Sequence, residues 1–336
     1  MTTTERRLYL YLRLLDNQIV SKQELVNKFK VTPRAIQRDI SQLRQTIAEL
    51  QLPQEIVYLP QERGFCLNSE QHQLNRQEIL VIIKTLLASR SLNSAEMAAT
   101  IDGLLGLIHS DDRAQIEPLI KNERFFYQPL QHQRPLLDKI WALSHCIATK
   151  QTLQIDYQRQ HAEHITRQIL PQALIFSEFY FYLISYSPKH NSSLLYRVDR
   201  ISDYQVLGHQ IQRDYKDRFQ EGVFRQKIQF MYPGQPIQVK FRFWGIVEAA
   251  LDRLPTGKII AAFAADSQPE AISPQLQPSR NGSVIISAEV YGERGILMWF
   301  LSQGAKVQVL APTTLVTQLQ TELTKIQARY QPEATH

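Results

Sequence analysis

Arg34, Gln37, Arg38, Ser41 and Gln45 recur at helical spacing within residues 32–50 and so share one side of a helix. Guanidinium forks beside an amide and a hydroxyl are the groups that fit phosphate oxygens and the base edges of a DNA major groove. Thr32 adds a second hydroxyl at the head of the stretch. Ile36, Ile40, Leu43 and Ile47 form an apolar stripe on the other side, which holds such a helix against a small core. Taken in isolation, this is an ordinary solvated amphipathic helix with surface arginines. The flanking elements shift the reading.

Thr32 is a helix N-cap residue, and Pro33 suits the first helical position, where its missing N–H costs nothing. Ahead of it, Ser21-Lys22-Gln23-Glu24 has the pattern of a capping box. It opens a short helix carrying Leu25, Val26 and Phe29, and Lys30-Val31 makes a tight connection to the next. Residues 5–16 read as a first helix, ended by Asp16-Asn17-Gln18. After the Thr32 helix, Ile56-Val57-Tyr58-Leu59 reads as a strand, residues 60–62 as a turn, and Arg63-Gly64-Phe65-Cys66-Leu67 as a second strand. The order is a helix-turn-helix followed by a hairpin wing, with Arg63 placed near a phosphate.

Residues 18–67 resemble the winged helix-turn-helix of bacterial transcription regulators. The string Val31-Thr32-Pro33-Arg34-Ala35-Ile36-Gln37-Arg38-Asp39-Ile40, followed by Leu43-Arg44, is similar to the reader-helix signature VSxRTIxRDIxxLR. Thr32 stands for serine and keeps the capping hydroxyl; Ala35 stands where the family prefers threonine. The resemblance implies a double-stranded DNA operator as partner, with Thr32, Arg34, Gln37, Arg38, Ser41 and Arg63 as contacts.

Residues 75–149 read as helical. One stripe holds Ile79, Ile82, Ile83, Leu86 and Leu87, a second Met97, Ile101, Leu104 and Leu105, and a third Leu136, Leu137, Ile140, Trp141 and Leu143. Asp111-Asp112 and the polar residues 121–133 separate them. These stripes are explained equally by a dimer spacer and by burial within one chain.

From Leu153 the apolar period becomes two. Leu153, Ile155 and Tyr157 alternate, residues 161–163 turn the chain, and residues 166–171 read as a strand ending at Pro171. Residues 179–186 form an aromatic strand, 187–192 a turn and 194–201 a further strand. Short strands at this spacing imply a small barrel or sandwich. Phe181-Tyr182-Leu183 resembles the naming Trp-Tyr-Leu of the WYL domain, with Phe181 in place of tryptophan. Thr166-Arg167 through Pro171-Gln172-Ala173-Leu174 is similar to its SRxxxPxxL segment, and Tyr196-Arg197-Val198-Asp199-Arg200-Ile201 to its FRLDRI segment. The resemblance implies an Sm-like, SH3-type β-barrel that senses a nucleic-acid or nucleotide effector through Thr166, Arg167, Tyr182, Arg197 and Arg200. Arginines pair bidentately with phosphates, and tyrosine stacks or donates. The alternative puts Tyr182 in the core and pairs the arginines with Asp199, Asp203 or Asp156.

Residues 215–232 read as a linker with some helix. A strand follows at 237–243, a proline-containing loop at 267–280, a strand at 283–290, a helix at 295–301, a strand at 305–310 and a closing helix at 313–330. Trp299-Phe300-Leu301-Ser302-Gln303-Gly304 through Pro312 resembles the WCX C-terminal extension that accompanies many WYL domains, and the order predicts an α/β sandwich.

Composition sets outer bounds. The chain has 336 residues, net charge +6 and only two cysteines, Cys66 and Cys146, without CxxC spacing. Neither a disulfide framework nor a cysteine-rich zinc site is available. No signal-peptide pattern or membrane-length apolar run occurs, so a cytoplasmic protein is expected. With only 12 glycines there is no phosphate-cradling loop, and no HExxH or GxSxG string. His161 and His164 lack a third metal ligand nearby, and His145 and Cys146, being adjacent, point to different faces. No catalytic residue, metal or cofactor is assigned.

The resulting expectation is an α+β multidomain chain. A winged helix-turn-helix occupies 1–70, a helical linker and dimerisation region 71–134, a WYL barrel 135–212 and a WCX extension 213–336. The expected function is that of a homodimeric, operator-binding transcription regulator under effector control. Family members often sit beside phage-defence genes, which makes a defence regulator one specific role. The rivals are an accessory protein that binds nucleic acid without a promoter role, and a nucleic-acid-processing enzyme using the barrel as a clamp.

Overall fold

The computed structural model describes residues 2–16, 18–69, 74–159, 163–187, 192–210, 219–264, 269–270 and 282–331. The chain divides into two compact units, one of residues 1–90 and 94–129, the other of residues 91–93 and 130–336.

The first unit opens with α1 (Thr3–Leu15), β1 (Val20–Ser21), α2 (Lys22–Phe29) and α3 (Pro33–Glu49). Hydroxyl caps start all three helices: Thr2 accepts from the N–H of Glu5, Ser21 from Glu24 and Thr32 from Ala35. At α2 the expected reciprocal half of the capping box is replaced, because the Glu24 carboxylate is taken by Arg13 of α1. Lys30 closes α2 in a left-handed conformation at φ 51°. The hairpin β2 (Gln54–Leu59) and β3 (Gly64–Ser69) follows, and β1 adds a short third strand, Val20 pairing with Phe65. Leu10, Leu14, Leu25, Ile36, Ile40, Ile47, Ile56 and Phe65 make one core beneath these elements.

Three helices complete the unit: α4 (Arg76–Ser89), α5 (Ser94–Leu105) and α6 (Ser110–Phe125). Asn75 and Glu78 form a reciprocal capping box at α4. The predicted stripes are buried through Ile79, Ile83 and Leu87, and through Met97, Ile101 and Leu105. Asp111-Asp112 and the first of the polar residues 121–133, expected to separate the stripes, lie within α6 itself. Ile116 and Ile120, one turn apart, bury against the unit, and this outweighs Pro118 within the helix.

The second unit starts with α7 (Leu137–Ala148), β4 (Gln151–Gln158), β5 (His164–Ser177), β6 (Tyr180–Ser187), β7 (Ser192–Arg197) and β8 (Ile201–Gln210). Trp141, read as part of the third apolar stripe, is 78% exposed; Leu143 and Cys146 carry the contact with the sheet. The antiparallel order is β7-β6-β5-β4-β8. β5 does not end at Pro171. Its first half pairs with β4 and its second with β6, and Pro171 sits where the register shifts, a position that tolerates a missing donor. The expected barrel is not closed among the described residues, since β7 and β8 do not pair. A 3₁₀ turn, Val198–Arg200, joins them and uses its own donors: the N–H of Ile201 bonds the Val198 carbonyl. The expected turns at 161–163 and 187–192 lie mainly outside the described residues.

Beyond β8 come α8 (Glu221–Lys227), β9 (Pro236–Phe243), α9 (Val247–Arg253), β10 (Lys258–Phe263), β11 (Pro269–Glu270), β12 (Ser283–Tyr291), α10 (Glu293–Ser302), β13 (Val307–Ala311) and α11 (Thr313–Arg329). The region read as a linker is packed: Phe224 and Met231 are buried against Ala173, Ile175 and Ile184. The second sheet is antiparallel, order β11-β10-β12-β9-β13, with α9, α10 and α11 contributing to one core. The sequence reading missed α9 and β10; most of its loop at 267–280 lies outside the described residues. No described helix is long and apolar enough to cross a membrane.

Candidate functional site

On α3, Ile36, Ile40 and Ile47 are buried and Leu43 is half-buried, while Arg34, Arg38, Ser41 and Gln45 are exposed and Gln37 is partly so. The Thr32 hydroxyl is committed to its cap, 3.3 Å from the Ala35 nitrogen. Arg34 and Arg38 have no hydrogen-bond or ion-pair partner among the described residues. Two side chains in the same string take structural roles that periodicity did not reveal. Asp39 is 1% exposed and accepts from Nε of Arg6 at 2.5 Å and from Nε of Arg7 at 3.0 Å, fastening α3 to α1. Arg44 donates from Nε to the Ile56 carbonyl at 2.8 Å and lies over the Phe65 ring, fastening α3 to the hairpin.

Arg63, expected in the second strand, sits in the hairpin turn at φ 49° and is exposed. With Lys22, Pro33 and Arg44 it lines a groove of about 640 Å³ between the starts of α2 and α3 and the hairpin. Helix α3 and the hairpin thus present cations to one open depression.

A second cleft, of about 500 Å³, lies beside the five-stranded sheet of the second unit. Arg167, Tyr182, Arg197 and Arg200 line it, together with Tyr157, Arg159 and Tyr196 and the segment Phe230, Met231, Tyr232 and Pro233. Thr166 does not. Strand alternation turns it away from Ile165 and Arg167, and its hydroxyl donates to Asp156 across the β4–β5 pair at 2.6 Å. Sequence reasoning overlooked Arg159 and the 230–233 wall, which carry no motif; the aromatic run Phe230 to Tyr232 was the one available signal.

The two arginines of the 3₁₀ turn differ. Arg197 grips Asp199 with both arms, at 3.0 and 2.7 Å, and its guanidinium carbon is 3.4 Å from the Tyr180 ring centre. Burial opposes its charge, but the Asp199 carboxylate prevails and raises its pKa. Asp199 is 5% exposed, and its carbonyl accepts from Arg134 at 2.8 Å. Arg197 therefore answers to the alternative reading, an internal ion pair. Arg200 is half-exposed and unpaired among the described residues. Among the described residues, Arg167 donates only to the carbonyl of Thr166, at 3.2 Å. Burial raises the phenol pKa of both Tyr182 and Tyr196, partly countered by Arg197 and Arg167 respectively. Tyr157 meets Tyr196 edge to face at 5.1 Å. The uncommitted Arg200 and the lightly held Arg167 beside neutral tyrosine rings suit a ligand with both phosphate and base. No group of three or more metal-ligating side chains occurs among the described residues.

Residues 138–206 match the family model of the WYL domain, and residues 235–327 match that of the WCX domain. The first match spans the cleft strands and the second spans the C-terminal sheet with α9, α10 and most of α11. No curated protein matches the chain. Among solved structures, the chain is similar to proteasome accessory factor B/C (PafBC) of Arthrobacter aurescens, at 13% identity and a TM-score of 0.27, over 96% of this chain and 46% of that one. A CRISPR Cas-related protein matches at 11% identity and a TM-score of 0.35, over 79% of this chain and 76% of that one.

Proposed function

We propose that this chain, which carries a WYL domain followed by a WCX domain, is a DNA-binding transcription regulator under effector control. Its first unit acts as a winged helix-turn-helix. α3 enters the major groove through Arg34, Gln37, Arg38 and Ser41, and the hairpin brings Arg63 to a phosphate. The observation that carries this reading is the pair Arg34 and Arg38, exposed and unpaired on a helix whose opposite face is fastened by buried isoleucines. The protein works as a cytoplasmic homodimer on half-sites about one DNA turn apart.

The cleft takes a nucleic-acid or nucleotide effector, with Arg200 and Arg167 on phosphate and the tyrosines against base. Control requires the effector to favour one arrangement of the reader helices over another. Genes of phage defence are the target class that the WYL resemblance suggests. The protein performs no catalysis in this role.

Footprinting on the DNA upstream of its own gene tests the reading. A regulator protects an inverted repeat, with two α3 helices accounting for its half-sites. Uniform protection without a repeat favours an accessory protein that binds nucleic acid at no promoter.

A further inference from the structure

Among the described residues, the C-terminal sheet buries one face along its length and the other at its Tyr291 end. Val239, Phe241 and Phe243 of β9 enter the core with α9, α10 and α11, so alternation turns Lys240 and Arg242 to the other side. The register extends that side across the sheet. Gln308 of β13 and Ile285 of β12 lie opposite Arg242, Ser287 lies opposite Lys240, and Lys258 of β10 lies opposite Ser287. α8 reaches only the far end, where Lys227 pairs with Glu289 at 2.8 Å. Lys240, Lys258, Trp244 and Gln308 are exposed.

Arg242 is built in. Its guanidinium lies 5.1 Å from the Trp244 ring centre and 4.7 Å from that of Phe263. Its Nε donates to the hydroxyl of Ser283, a residue 1% exposed, at 2.8 Å. Glu289 is the only acidic residue in β9, β10, β12 and β13, and Lys227 already neutralises it. The face thus carries a surplus of positive charge beside two aromatic rings.

We propose that this face binds single-stranded nucleic acid, with Lys240 and Lys258 on phosphates and Trp244 and Phe263 as stacking platforms flanking the fixed Arg242. Charge decides against a second copy of the chain, since a twofold axis through the face would oppose lysine to lysine. Stacking decides against duplex, whose base faces are already covered, whereas every unpaired base offers one. The site is separate from the cleft and does not depend on the regulator reading.

The test uses the full chain carrying Trp141→Phe, which leaves Trp244 as the exposed indole because Trp299 is buried. Arg38→Ala and Arg200→Ala are added to silence the reader helix and the cleft. Oligo-dT and a duplex of equal length are titrated against tryptophan fluorescence. Saturable quenching by the single strand, and little by the duplex, is the expected result. Trp244→Ala should weaken binding, read by anisotropy of labelled oligo-dT, by about tenfold, and Trp244→Phe should retain most of it. Lys240→Glu combined with Lys258→Glu should lower the logarithmic salt slope by about 1.4, two contacts at roughly 0.7 each. Absence of quenching, equal quenching by duplex, or unchanged affinity in both variants overturns the proposal. So does a dimer that dissociates on Trp244→Ala, which makes the face a self-interface.

Discussion

Nε of Arg6 lies 2.5 Å from Oδ2 of Asp39, and the two side chains retain only 10% and 2% of their exposure. The pair joins residues 33 positions apart and fixes the angle at which α3 leaves α1. Removing one partner strands a buried charge. Asp39→Ala should therefore destabilise the first unit by about 3 kcal/mol or more. Arg7→Ala, whose side chain is 35% exposed, should cost under about 1 kcal/mol. Urea unfolding of the two variants measures the difference; equal losses contradict the assignment.

Arg38 and Arg44 are both exposed cations of α3, but only Arg44 has an internal partner. Arg38→Ala should weaken operator binding by roughly 1–3 kcal/mol while the melting temperature holds. Arg44→Ala should loosen the hairpin and lower the melting temperature. Operator affinity beside a thermal melt separates them, and an unchanged affinity in Arg38→Ala removes that residue from the DNA contact.

Arg197 and Arg200 separate in the same manner. Arg200→Ala should reduce effector binding with no loss of stability. Arg197→Ala exposes the system to an unpaired Asp199 and should cost about 3 kcal/mol, the low end for a buried pair, because the Arg197 side chain keeps 20% exposure. Thr166→Val should leave effector binding intact, its hydroxyl being spent on Asp156. Calorimetric titration with a short single-stranded oligonucleotide, on a chain carrying Trp244→Ala to silence the C-terminal sheet, paired with denaturant unfolding, checks all three. A folded Arg200→Ala protein with full affinity would refute the role given to Arg200.

Alkaline pH offers an independent handle on the cleft. Burial raises the phenol pKa of Tyr182 and of Tyr196 above the ordinary 10.0. A group raised in the fold stabilises it fully below the unfolded value, and this contribution disappears as pH climbs through the raised one. The unfolded chain then binds fewer protons than the folded one, so stability must fall over that window. Burial lowers the pKa of Lys139 and acts oppositely, but it cancels when the chain is compared with Tyr182→Phe. That variant should lack one late-ionising phenol in a phenolate absorbance titration and lose less stability above pH 10 than the parent. Loss instead of a phenol that ionises in the ordinary range near 10.0 would show that Tyr182 is solvated.

Much of the local structure was legible in the chain. Thr32-Pro33 announces a helix start because cap and ring act within one turn, and the isoleucine period names the buried face before any partner is known. Strands in all three sheets were found where alternation was clean. Within the stretch read as helical, α6 was not set apart because its buried positions, Ile116 and Ile120, are sparse; strand β10 was missed because Ile259-Ile260-Ala261-Ala262-Phe263 is a continuous apolar run without alternation. The wall at 230–233 escaped for a different reason: its aromatic run belongs to no motif, and the packing of Met231 on Ala173 and Ile184 makes it part of the cleft.

Caps and periodicity involve neighbours in the chain, so residue order alone specified helix α3 and its exposed arginines, while the candidate arginine-tyrosine set came from the resemblance to the WYL domain. Which of those charges are spent and which remain for a ligand depended on partners brought together only by folding. Asp39 is consumed by α1, Arg197 by a carboxylate under a tight turn, and Thr166 by the adjacent strand, leaving Arg38 and Arg200 uncommitted. The physical reason is that an ion pair is set by distance and exclusion of water, and tertiary packing determines both.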